Sequence, residues 1–134
     1  MSIGLLIITH NRLGEDLLST ARGMLDSTPL LTRVLAVDQD RAFDRLLEDA
    51  RRAARELRTG DGLLVLTDAY GSTPSNIANR LREEEGVEVV AGINLPMLIR
   101  IFNYPDLGLE QMARTAVEGG RAGVLLCASE ERRG

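Results

Sequence analysis

Ile3-Gly4-Leu5-Leu6-Ile7-Ile8-Thr9-His10 opens the chain with a continuous apolar run that ends in two polar residues. A run with no polar alternation has no solvent face, so it reads as a strand covered on both sides. The same grammar recurs further on. Val34 to Val37 and Leu63 to Leu66 are two more short apolar runs, and Val87 to Ala91, apolar but for Glu88, reads as a fourth strand. Between them lie stretches of helical period. Leu17, Leu18, Ala21, Met24 and Leu25 mark a helix over Leu13 to Leu25. Phe43, Leu46, Leu47, Ala50, Ala54 and Leu57 share one helical face, and Gly60-Asp61-Gly62 breaks the pattern. Thr73-Pro74 starts a third helix, which the pattern carries to Glu84, with a hydroxyl cap before the proline. Pro96 to Phe102 and Leu109 to Glu118 read as two further helices, and Val124 to Cys127 as a last strand. Strands apolar on both faces that alternate with helices predict an α/β doubly wound sheet, mainly parallel, in a single domain over residues 1–134. The last strand is expected at an edge, or lent to a second subunit.

Composition narrows the function. The chain has 134 residues and a net charge of -4, which disfavours a nucleic-acid partner. All 16 basic residues are arginine, so neither a Schiff-base lysine nor a phosphate-loop lysine is available. The single cysteine, Cys127, sits in an apolar run and reads as a buried small hydrophobe; no thiolate metal site can be built from it. Aromatic residues make up 3% of the chain, which weakens an alternative reading, a nucleotide- or flavin-binding domain of flavodoxin type, since few residues could sandwich a ring. The N-terminus lacks a basic signal region, and no apolar run is long enough to span a bilayer. The expected location is the cytoplasm.

Ligands of open α/β sheets bind beyond the carboxyl ends of the strands, where the strand order reverses. The first strand delivers Thr9-His10-Asn11 there, the third Thr67-Asp68-Ala69-Tyr70-Gly71-Ser72-Thr73-Pro74, and the fourth Gly92-Ile93-Asn94-Leu95-Pro96. With an order 2-1-3-4, His10 and Asp68 meet. A carboxylate that accepts from one imidazole nitrogen fixes the tautomer and leaves the other nitrogen nucleophilic. If Asp68 holds Nδ1, the free nitrogen is Nε2. The third helix would start close by. Its free amide groups and the hydroxyls of Ser72 and Thr73 suit a phosphoryl group, and Gly71 allows close backbone approach. Each feature also has a plain structural reading: His10 as a loop residue, Asp68 as a turn residue, Gly71 to Pro74 as a helix start. Thr9, Tyr70 and Asn94 are candidates for the rim of the site or a partner contact, or for packing and turns. Neither a cofactor nor a metal is called for.

Four stretches carry a resemblance. Ile7-Ile8-Thr9-His10, Val65 to Asn76 and Val90 to Leu98, together with Ala116 to Gly123, resemble the enzyme IIA proteins of the mannose family of the bacterial phosphoenolpyruvate-dependent sugar phosphotransferase system. The resemblance implies a phosphoryl group carried on His10 with Asp68 behind the ring. It implies phospho-HPr as donor, a IIB protein as acceptor, and contact with a membrane only through a permease. It also implies a homodimer that exchanges the strand Val124 to Cys127. One departure stands out: the family usually has Gly-Gly-Ser-Pro where this chain has Gly71-Ser72-Thr73-Pro74. The chain ends at Gly134 without a fused IIB domain, so a separate acceptor is expected. Two neighbouring readings use the same chemistry: a regulatory phosphoprotein with no sugar permease, and the phosphoryl-donating subunit of a dihydroxyacetone kinase.

Overall fold

The computed structural model describes residues 2–127; residue 1 and residues 128–134 of the expected 1–134 domain lie outside the described residues. Strand β1 spans Gly4–His10, helix α1 Leu13–Met24, β2 Thr32–Val37, α2 Phe43–Leu57, β3 Leu63–Thr67, α3 Thr73–Leu81, β4 Val87–Ala91, α4 Leu95–Asn103 and α5 Leu109–Ala122. All strand pairs are parallel, and the order is β2-β1-β3-β4, as the sequence predicts. A parallel connection needs a crossover, and the helices supply it.

The apolar runs are apolar on both faces because each face meets a helical layer. Leu5 and Ile7 of β1 join Leu64, Leu66 and Val90 in a core under α1, α4 and α5. Leu6 and Ile8 join Leu63, Val65 and Val87 in a second core under α2 and α3. Leu5, Leu6, Ile7 and Ile8 are all fully buried. Each such side chain contributes about 1.5–3 kcal/mol of hydrophobic free energy. The period of two then decides what comes next. Thr9 continues the face toward α1, and His10 continues the face toward α2 and α3.

Two expectations change. Helix α3 ends at Leu81, not Glu84. The amides of Arg82, Glu83 and Glu84 bond to carbonyls three residues back, in tight turns. The run Glu83-Glu84-Glu85 puts negative charge at the negative end of the helix dipole, which opposes continuation. The strand expected at Val124 to Cys127 is not formed in the single chain. Val124, Leu125 and Leu126 are 77%, 76% and 92% exposed, and Cys127, expected to be buried, is exposed with them because no strand forms here to cover it. A strand is stabilised by its ladder, and among the described residues this segment pairs with nothing.

Candidate functional site

Parallel register sets the site. Ile8 lies opposite Thr67, so β1 and β3 run out side by side and release His10 and Asp68 as neighbours. His10 Nδ1 lies 2.8 Å from Asp68 Oδ2, and the His10 backbone amide donates to the same oxygen at 2.9 Å. The Ala69 amide donates to Oδ1 at 2.8 Å. Burial opposes ionisation of Asp68, but these bonds from the His10 amide, the His10 ring and the Ala69 amide hold its carboxyl below the ordinary value of 3.8. An ionised carboxylate only accepts. Nδ1 therefore carries a proton, and in the neutral ring the lone pair is the one on Nε2. The His10 side chain is 49% exposed and that of Asp68 only 11%. The ring faces outward from a sheltered anchor.

Beside the ring is a cavity of about 370 Å³, walled by Val37, Leu46, Phe43 and Thr73, with Asp38 and Arg41 at its polar side. Thr73 is the first residue of α3 and Pro74 follows in its first turn. The helix is entered from Ser72, but the Ser72 hydroxyl donates to the Ala69 carbonyl at 2.6 Å and caps no helix amide. The expected hydroxyl cap before the proline is therefore absent at Ser72. Gly71 has φ +87°, a conformation that side-chain-bearing residues rarely adopt, and open space where a Cβ would project.

The three rim candidates part company. Tyr70 is 83% exposed on the loop after Asp68. Thr9 is fully buried, so its side chain forms no part of a rim. Asn94 caps α4, accepting from the Met97 amide at 2.9 Å and donating to the Gly120 carbonyl at 3.1 Å. It borders a different cavity, between β4 and α5. Asn94 had a helix-start signature in the sequence, an Asn two residues before a Pro. Arg41 was not singled out from the sequence. Its guanidinium donates to the Ala36 carbonyl at 2.6 Å and pairs with Asp49 at 3.2 Å. Nothing in a one-dimensional pattern places that arginine beside His10. Among the described residues no three metal-ligating side chains cluster.

A family model described as the PTS system fructose IIA component, EIIA-man, matches residues 4–114. The chain belongs to this family. The span matched holds all four strands and the His10–Asp68 pair. EIIA-man membership bears out the resemblance read from the sequence. The PTS system mannose-specific EIIAB component of Escherichia coli (strain K12) is 34% identical over 127 residues, which is 92% of this chain. The component of that name in Shigella flexneri gives the same figures. The chain spans only 39% of the length of these curated relatives. The mannose/sorbose specific IIA subunit from Enterococcus faecalis superposes with a TM-score of 0.83 at 23% identity, covering 94% of this chain and 95% of that one. The EIIA component from Streptococcus agalactiae gives 0.79 at 19%, covering 92% and 96%. Both share the fold.

Proposed function

We propose that this EIIA-man chain is a phosphoryl carrier of the sugar phosphotransferase system, accepting its group from phospho-HPr on Nε2 of His10 and passing it to a IIB protein in sugar uptake. The observation that carries the reading is the 2.8 Å bond from His10 Nδ1 to Asp68 at the carboxyl end of the sheet. The Nε2 lone pair attacks phosphorus. One N–P bond forms while the donor's N–P bond breaks, and that electron pair returns to the donor's imidazole. The His10 ring keeps its Nδ1 proton, and the positive charge it gains lies against the Asp68 carboxylate. The free amides at the start of α3 and the Thr73 hydroxyl, with Gly71 and the Ser72 backbone beside them, suit the phosphoryl oxygens. Transfer to the IIB protein reverses the same geometry.

The relatives favour this reading over the kinase-subunit, regulatory and flavodoxin-type alternatives. No helix among the described residues is long and apolar enough to cross a membrane. A cytoplasmic place follows from the proposed donor and acceptor. A homodimer completes the proposal: the exposed Val124, Leu125 and Leu126 and the outer edge of β4, which pairs with no strand among the described residues, are complementary surfaces for strand exchange.

The test is intact mass after incubation with phosphoenolpyruvate, enzyme I and HPr from a matching organism. The wild type should gain one acid-labile phosphoryl group, and His10→Ala none. Equal gain in both would move the chemistry off His10. No gain in either would remove the carrier reading.

A further inference from the structure

Thr9 is a polar residue with zero exposure, immediately before His10. A buried hydroxyl costs free energy unless it is bonded. This one is bonded twice. It accepts from the Gly14 amide at 2.7 Å and donates to the His10 carbonyl at 3.3 Å. The first bond satisfies one of the free amides in the opening turn of α1. The second acts on the residue proposed to carry the phosphoryl group.

Gly14 makes the arrangement fit. A Cβ built there would lie 2.8 Å from Ile7 Cγ2, 3.0 Å from Thr9 Oγ1 and 3.1 Å from Val34 Cγ1. Only a residue without a side chain lets α1 rest so close to β1 and β2. The His10 main chain is then held on both sides. Its amide is bound by Asp68 Oδ2 at 2.9 Å, and its carbonyl by Thr9. Immediately after it, Asn11 takes φ +47° and donates its amide to the Val37 carbonyl at 3.0 Å. Asparagine tolerates that left-handed conformation better than most residues. The chain is thus turned and pinned within one residue of the imidazole.

The ring itself is half exposed, and among the described residues its one hydrogen bond is to Asp68. Its aim follows from the direction of the Cα–Cβ bond, which the two flanking peptides set. We propose that Thr9 is a positioning residue for phosphoryl transfer, and that its buried hydroxyl locks the His10 peptide to the first turn of α1 so that Nδ1 meets Asp68 while Nε2 faces outward. The proposal rests on the carrier reading for its kinetic consequence. It has a geometric consequence that does not depend on that reading.

Thr9→Val keeps the shape and removes the hydroxyl; Thr9→Ser keeps the hydroxyl. His10 is the only histidine in the chain, so its ring nitrogens give unambiguous ¹⁵N signals in the full-length protein. Three quantities are measured on each variant: the ring tautomer, the single-turnover rate of phosphorylation by phospho-HPr, and the melting temperature. Thr9→Val should shift the ring from one Nδ1–H tautomer to a mixture. It should slow transfer about ten-fold, a decade short of the roughly hundred-fold cost of a 1 Å misplacement. Thr9→Ser should restore both. A Thr9→Val protein that melts earlier yet keeps the wild-type tautomer and rate would reduce Thr9 to a helix cap and overturn the proposal. If Thr9→Val does not fold, Thr9→Ala against Thr9→Ser gives the same contrast of a hydroxyl with none. If wild type takes no phosphoryl group, the carrier reading fails, and the tautomer comparison still decides whether Thr9 aims the ring.

Discussion

Replacing Asp68 by Asn changes few atoms and removes one charge, so its effect follows from the bonds at that side chain. Asp68 Oδ2 accepts from the His10 amide and the His10 ring, and Oδ1 accepts from the Ala69 amide. All three neighbours are donors as the site stands, whereas an asparagine side chain offers one acceptor and one donor. If its oxygen faces His10, its NH₂ points at the Ala69 amide. If it turns over, its NH₂ points at Nδ1, the ring proton moves to Nε2, and the nucleophilic lone pair is lost. Either orientation costs a bond to a charged group, worth about 1.5–3 kcal/mol. At about 1.4 kcal/mol per decade of rate, transfer to His10 should fall roughly ten- to hundred-fold. The half-exposed ring places the expected value toward the smaller end. Single-turnover phosphorylation by phospho-HPr measures the rate, and ¹⁵N spectra of the lone histidine report the tautomer. An Asp68→Asn protein that transfers at the wild-type rate would refute the role given to the carboxylate.

Other expectations are independent of that one. Because the folded Asp68 carboxyl sits below its ordinary value of 3.8, its bonds stabilise the folded chain fully above that value. That contribution is lost as pH falls through 3.8 toward the folded value. Urea unfolding of wild type and Asp68→Asn should therefore differ by a constant amount near neutrality and converge in acid; a gap that widens in acid would contradict the assignment. Asn94→Ala removes the α4 cap and the tie to Gly120, so it should destabilise by about 1 kcal/mol or somewhat more without changing the His10 ring signals. Leu126→Asp should convert the proposed dimer to monomer in sedimentation at fixed protein concentration, with the folded monomer retained, because this side chain is 92% exposed in the single chain. An unchanged dimer would exclude Leu126 from the interface.

Much of the molecule was legible in one dimension because burial on both faces leaves a simple mark. Leu5 to Ile8 and Leu63 to Leu66 are uninterrupted apolar runs since helices cover both sides of them. Helix α2 was legible for the opposite reason: Leu46, Ala50 and Leu57 face the core while its arginines and acids face solvent. Edges were less clear. Strand β2 begins at Thr32, two residues before the apolar run, because a partly exposed strand tolerates Thr32 and Arg33. The end of α3 was hidden because helical period says little about where charge stops a helix.

The chain order of strands and helices, the parallel sheet and the presence of a single histidine, at the end of the first strand, were determined by the sequence itself, because they depend on residue type and local period. The tertiary structure alone decided that Asp68 reaches His10 across 58 positions of chain, since that needs the pairing of β1 with β3 in one register. It alone turned Thr9 from an apparent rim residue into a buried one bonded to the Gly14 amide, and Asn94 into a cap tied to α5. Among the described residues it left Val124 to Cys127 without a ladder. A strand's propensity is local, but its hydrogen-bond partner is supplied from elsewhere in the fold, or from a second copy of it.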